Sequence, residues 1–354
     1  ESVDHRRQES PVPRRQHIGF GLIGGGMIAG YHKQAIEANA DLGARLIAVG
    51  DCDASRFRDI SERFGVPCMP VDELLARRDI DVVSICTPSG LHAPQAVAAA
   101  RAGKHVLVEK PMALTLAEAD EAIAACNKAG VLLGVVLQRR ASPLFRTVHD
   151  AIAAGQLGDL TLGVVTIPYF RSRAYYAQAA WRGTWSLDGG GVLMNQGIHQ
   201  VDLLVWYMGD PVAIQASAAT LHHSIEVEDT LAATLRFANG ARATIAATTT
   251  AGPGYPHRVE VYGTKGGVQI EGESLIRWDM ADGSQPPLRP QGQLLNVPSG
   301  AGGDPRGIAA DGHIAVVRDF IQAVRTGGRP LADGAEGRRS IATILGVYQA
   351  AGLR

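Results

Sequence analysis

Two residues of this 354-residue chain stand out as groups that could move a proton on or off a hydroxyl, Lys110 and His199. Lys110 closes the run HVLVEKP, 105–111. That is the carboxyl end of a strand-like segment, where open α/β sheets bind their ligands. His199 lies in GGGVLMNQGIHQVDLLVWYMG, 189–209. There Asn195, His199 and Asp202 fall at i, i+4 and i+7, one stripe of a helix expected from about Gly191 to Met208. Met194, Ile198, Val201, Leu204, Val205 and Met208 form the adjoining apolar face, so the stripe should be partly buried. Buried polar groups need partners or serve a function. On position alone, Lys110 reads as a solvent-exposed strand terminus. His199 and Asp202 read equally well as a satisfied structural pair.

A redox step would need a cofactor, and the stretch GFGLIGGGMIAGYH, 19–32, offers a place for one. It holds two glycine patterns. The literal G-x-G-x-x-G, Gly19 to Gly24, lacks a strand before it and a helix after it. The looser G-x-G-x-x-A, Gly24 to Ala29, has both: a strand over 18–23, a tight turn at Gly24-Gly25-Gly26, and a helix from Met27 and Ile28 onward. Gly24 permits the turn and Gly26 lets a pyrophosphate approach the backbone. The phosphates would meet the helix N-terminus, where free N–H groups and the dipole favour anions. Asp51 ends the next strand about 20 residues on, where an acid takes the ribose hydroxyls of NAD. Asp51 opposes a 2′-phosphate, so NAD is preferred, while Arg56 keeps NADP open.

The elements that must position these groups alternate strand and helix from Ile18 to about Gln138. Their strands are short continuous apolar runs, as parallel strands covered on both faces require. After a linking helix the pattern changes to strands with few helices: LTLGVVTIP, VAIQASAAT, DTLAATLRF, ARATIAATTT, HRVEVYG and GVQIEG. These suggest a mostly antiparallel sheet. Residues 286–307 read as a long Pro- and Gly-rich loop, followed by terminal helices over 314–325 and 338–351.

Composition bounds the function. Hydrophobic residues make up 46% and charged residues 19%, and the formal net charge is −1. No basic field invites nucleic acid, and no apolar run reaches the roughly 18 residues of a membrane span. The four cysteines lack zinc or C-x-x-C spacing, which favours reduced thiols in the cytoplasm. No His, Cys or Asp cluster has metal-ligand spacing. Residues 1–17 read as a disordered tail. Its Arg-Arg pairs are similar to a twin-arginine export signal, but the apolar run that follows is better read as the first strand.

In combination the motifs resemble the glucose–fructose oxidoreductase and inositol dehydrogenase family, Gfo/Idh/MocA. The matching residues are GLIGGGMIAGYH at 21–32, Asp51, TPSGLH at 87–92, EKP at 109–111 and WRGTWSLDGGGVLMNQGIHQVDLLVWYMG at 181–209. The resemblance implies an α/β protein of two domains. Residues 18–140 would be a Rossmann domain with a doubly wound parallel sheet. Residues 141–354 would be an α/β domain with a large open, mostly antiparallel sheet, whose terminal helix packs back on the first. It also implies an NAD(P)-dependent hydride transfer on a ring hydroxyl or ketone of a sugar, nucleotide sugar or cyclitol.

By the same resemblance Lys110, Asn195 and His199 are the catalytic set. Many inositol dehydrogenases carry Asp where this chain has Asn195. An amide takes no proton, so Asn195 can only orient substrate or His199. The expected mechanism has His199 remove the hydroxyl proton while Lys110 hydrogen-bonds the same oxygen. The reverse assignment, with Lys110 as base, stays open. Thr87, Pro88, His92 and Glu109 are expected along the cofactor cleft, with a helix cap as the other reading of His92. Gln138 and Arg139 would approach the nicotinamide or the substrate. Trp181 and Arg182 match WR pairs that lie near the cofactor in relatives, with core as the other reading of Trp181. Tyr169 and Tyr255 are candidate sugar-stacking surfaces, and Glu226, Glu228 and Asp229 read as a solvated acidic turn. The flat Ala- and Thr-rich sheet face would pair two or four copies. A redox-assisted NAD-dependent glycosidase or lyase, and a non-catalytic NAD and sugar sensor, are the rival readings.

Overall fold

The computed structural model describes residues 17–286 and 310–354. The expected tail, up to residue 16, and nearly all of the 286–307 loop lie outside the described residues. The first sheet has six parallel strands: β1 (Ile18–Ile23), β2 (Ala44–Gly50), β3 (Cys68–Met69), β4 (Val82–Ile85), β5 (His105–Val108) and β6 (Leu133–Val135), in the order β3-β2-β1-β4-β5-β6. β1 and β4 are buried at every position. Helices cover both faces, so no residue of these strands can be spared for water. The order reverses between β1 and β4, the switch point where doubly wound sheets take a dinucleotide.

The second sheet has seven strands: β7 (Leu160–Pro168), β8 (Pro211–Ala219), β9 (Thr230–Phe237), β10 (Arg242–Thr248), β11 (Arg258–Gly263), β12 (Gly266–Glu271) and β13 (Ser274–Met280). Their order is β13-β12-β11-β7-β10-β9-β8, antiparallel except for β7 beside β10. β9 and β10 alternate buried and exposed residues because only one face is covered. Ala232, Thr234, Arg236, Arg242, Thr244 and Ala246 form part of the open face. The sequence reading missed β13, since SLIRWDM mixes charges into its apolar alternation.

The two C-terminal helices, Asp311–Thr326 and Gly334–Ala350, return to the first sheet. Phe320 and Ile321 join Phe20 and Leu22 in one core, and Ile341 joins Val108 and Val135 in another. Among the described residues, no helix is long and apolar enough to cross a membrane.

The expected single helix after Gly191 is broken in two. Val192–Gln196 forms a π-helical turn and Ile198–Met208 an α-helix. A π-turn inserts a residue into the ladder and occurs mostly at functional sites. A Cβ at Gly191 would collide with the backbone carbonyl of Glu228, so only glycine can begin this turn.

Candidate active site

The glycine loop opens as the second register requires. Gly24 has φ +95°, a left-handed conformation that glycine alone adopts cheaply. The helix Met27–Ala38 starts at Gly26 without a side-chain cap, and a Cβ on Gly26 would face open space. Its first N–H groups are therefore left for an anion. Asp51 lies at the end of β2 and its Oδ2 accepts the Gly25 N–H at 3.1 Å. Arg56 stands 3.4 Å from the same oxygen. Thr87 packs against Gly24 from the end of β4. An open helix terminus, a glycine turn and an acid at the second strand end fit a dinucleotide. We expect Asp51→Ala to weaken NAD binding at least ~10-fold, the scale of a hydrogen bond to a charged group, and to narrow the preference over NADP. Titration calorimetry with both dinucleotides measures it, and unchanged NAD affinity would remove Asp51 from the site.

Lys110 follows β5 and reaches across to the second half of the molecule. Its Nζ donates to the carbonyl of Asn195, in the π-turn, at 2.9 Å. Burial, with Arg171 and Arg182 nearby, lowers its pKa from the ordinary lysine value, against Glu109 and Asp188. His199 follows on the α-helix. Burial, then the charges of Lys110 and Arg139, push its pKa well below the usual imidazole range. Its Nδ1 is buried with no hydrogen-bond partner. Asn195 Nδ2 donates to Asp188 Oδ1 at 2.6 Å, and Asp188 Oδ2 accepts the Gly183 N–H at 2.8 Å.

Glu109, next to Lys110 in the chain, is buried between two histidines. Its Oε1 meets His32 Nε2 at 2.9 Å and His313 Nε2 at 3.1 Å, and Ser84 Oγ meets His32 Nδ1 at 2.7 Å. Burial opposes its charge, but the two imidazoles hold its pKa well below the carboxylate range. His32, Glu109 and His313 also lie close enough to bind a metal together. Hydrogen bonds already account for the three atoms that would face it.

Several expected site residues are corrected by their surroundings. His92 is 1% exposed, and its two ring nitrogens lie 2.7 and 2.8 Å from the carbonyls of Pro111 and Thr87. It ties together the segments that follow β4 and β5. Tyr169 is buried, with its hydroxyl on His257 Nδ1 at 2.8 Å, so it presents no stacking face. Asp202 pairs with Arg140 instead of His199, and Ser340 donates to it as well, so its partners come from distant segments that pack against this helix. Glu228 and Asp229 are buried, not solvated. Glu228 accepts the N–H groups of Gly191 and Leu193 and the hydroxyl of Tyr348. Burial pushes its pKa up to about 7.

Arg182 acts on the charge of Lys110, and its guanidinium lies 4.1 Å from the Tyr175 ring centroid and 5.1 Å from that of Trp181. The 181–189 segment docks on the first half through the Gly90 N–H, which donates to the Leu187 carbonyl at 2.9 Å. Pro88 begins the turn that makes this contact. Gln138 and Arg139 start a short turn after β6, and Arg139 pairs with Glu273 at 3.1 Å. Tyr255 is 52% exposed on the loop between β10 and β11. A cavity of about 680 Å³ opens beside Arg182 and Gly183, lined also by Arg173, Tyr176, His223 and Glu226.

The sequence reading missed Asp188, Arg171 and Arg63. Arg63 donates to the carbonyls of Gly25 and Gly26 at 3.2 Å each and so turns the loop's N–H groups outward. Asp188 carried one signal, an acid directly before the GGG turn.

Comparison with known proteins finds matches over both halves of the chain. A model described as the oxidoreductase family NAD-binding Rossmann fold matches residues 18–137, and one described as the GFO/IDH/MocA C-terminal domain matches residues 145–269. An inositol 2-dehydrogenase of Rhizobium meliloti (strain 1021) is 32% identical, over 77% of this chain and 82% of that protein. A 1,5-anhydro-D-fructose reductase of Ensifer adhaerens is 32% identical, over 94% and 96%. Among solved structures, the WlbA dehydrogenase of Bordetella pertussis in complex with NADH and UDP-GlcNAcA is 33% identical. It superposes with a TM-score of 0.83, covering 95% of this chain and 97% of that one.

Proposed function

Because the chain belongs to the Gfo/Idh/MocA family of NAD-binding oxidoreductases, we propose that it is a sugar dehydrogenase in which Lys110 handles the proton. The observation that carries this reading is the Lys110 amine, half-buried, tied to the π-turn at Asn195 and lowered in pKa beside His199. The Gly24–Ala29 loop and Asp51 would hold NAD, whose nicotinamide would be the hydride acceptor. Lys110 takes the proton of the reacting hydroxyl. His199, kept neutral by burial and by the cations around it, suits a hydrogen bond to that oxygen better than storage of its proton. Asn195 orients the sugar. This reverses the roles first expected for Lys110 and His199.

The cavity beside Arg182 is our candidate for the rest of the substrate. Arg173 and Arg182 outnumber Glu226 on its walls, which favours a sugar that carries an anionic group, such as a sugar acid or nucleotide sugar. The open Ala- and Thr-bearing face of the second sheet supports assembly of two or four copies. The four free cysteines support a reducing, cytoplasmic location.

The test is a panel of neutral sugars, cyclitols, sugar acids and UDP-sugars with NAD and with NADP, followed by NADH absorbance. We expect steady NADH formation, faster with an anionic sugar than with its neutral analogue. Release of aglycone without NADH would establish a redox-neutral lyase instead. NAD binding without turnover of any panel member would support a sensor.

A further inference from the structure

Asn195 is held at both ends. Lys110 Nζ takes its backbone carbonyl at 2.9 Å and Asp188 takes its side-chain amide at 2.6 Å. Asp188 is 2% exposed, and its second oxygen accepts the Gly183 N–H. An ionised carboxylate only accepts, so the Asn195 NH2 must face Asp188 and the amide oxygen must face the other way. We propose that Asp188 is a positioning residue that fixes the Asn195 amide with its oxygen toward the substrate, so that Asn195 accepts from a sugar hydroxyl next to the reacting carbon. This rests on the sugar dehydrogenase reading above. It also returns a carboxylate to a site whose expected acid position is an amide. The acid stands seven residues earlier in the chain and acts through the amide instead of on the proton.

The groups around Asp188 agree with this role. Lys110 from the end of β5 and Arg182 from the docking segment favour its anion, as do the Gly183 N–H and the Asn195 amide. The Tyr176 phenol also senses its charge. Burial works against them and raises the carboxyl to about 6. Above that pH the amide is locked. Below it the carboxyl carries a proton and can donate to the amide oxygen, so the amide is free to turn over. The sugar KM should therefore rise as the pH falls through about 6, while NAD binding stays level.

The experiment has two arms. The first needs no substrate: the side-chain NH2 signals of Asn195, identified by their loss in Asn195→Ala, are followed by NMR from about pH 5 to about pH 8, bracketing the perturbed carboxyl. They should shift with a midpoint near that of Asp188 and lose this response in Asp188→Asn. Signals that do not respond to pH overturn the proposal, and this reading stands on wild-type protein even if the variant folds poorly. The second arm is a double-mutant cycle on the sugar that gives the highest NADH rate. Asp188→Asn should lower kcat/KM at least ~10-fold, the scale of a charge-assisted hydrogen bond. In the Asn195→Ala background the same change should cost less than about twofold, because the residues act as one unit. Additive losses, or a wild-type KM and pH profile in Asp188→Asn, overturn the proposal. If no sugar is turned over by the wild type, the dehydrogenase reading fails. The first arm still decides whether Asp188 fixes the amide.

Discussion

Replacing Lys110 with alanine is expected to lower kcat at least ~100-fold, the usual scale for a general acid–base group, with NAD affinity within about threefold of wild type. The pH dependence carries the sign. Lys110 must be unprotonated to accept the hydroxyl proton, so sugar oxidation rises with pH as the amine titrates. Carbonyl reduction needs the protonated amine and falls over the same range. Burial, Arg171 and Arg182 place that range below the ordinary lysine value. The variant should lose this limb, and added ethylamine should restore part of the rate. Steady-state kinetics in both directions, with NAD binding followed by fluorescence, measures it. A Lys110→Ala enzyme with near-normal turnover, or with the wild-type pH limb intact, would sink the assignment.

The second large effect is on stability. Arg140 is 1% exposed and reaches from its own turn to two other elements. Its Nε and Nη2 donate to the two oxygens of Asp202 at 2.9 and 2.8 Å, and its Nη1 donates to Glu336 at 2.6 Å. Ser340 donates to Asp202 Oδ1 at 2.7 Å. The turn after β6, the helix that carries His199 and the terminal helix are thus joined at one guanidinium. Arg140→Ala strands Asp202 as a buried, underpaired anion and should cost roughly 3–5 kcal/mol. Replacing both partners, as Arg140→Met with Asp202→Leu, should cost less than the single change, since no charge is then left buried. Urea unfolding of the three proteins measures the difference. A single variant no less stable than wild type would show that the network bears no weight.

Parts of the site were legible because they rest on local rules. The cofactor loop follows from a strand, three glycines and a helix in sequence, and Asp51 from its place at the next strand end. Lys110 and His199 needed the family resemblance, since a lysine at a strand terminus and a histidine on a helix are common. The partners of Asp202 were not legible because Arg140 and Ser340 stand 62 and 138 residues away in the chain. Glu228 and Asp229 read as a solvated turn because charge predicts exposure. Burial was decided by donors 35 or more residues away in one case, Gly191 and Leu193 with Glu228, and by the Tyr348 hydroxyl on the last helix.

The amino-acid sequence by itself determined the class of the two sheets, the register of the glycine loop and the cofactor it suits. Each depends on periodicity or on spacing within one element pair, and those are written along the chain. Only the tertiary structure decided what surrounds Lys110 and Glu109 and which polar groups support them. The lowered pKa of Lys110 comes from burial and from Arg171 and Arg182, while Glu109 is held by His32 and His313. The Asn195 amide is oriented by Asp188. These are through-space effects between segments brought together by packing, and electrostatic energy depends on that distance and burial, not on separation in sequence.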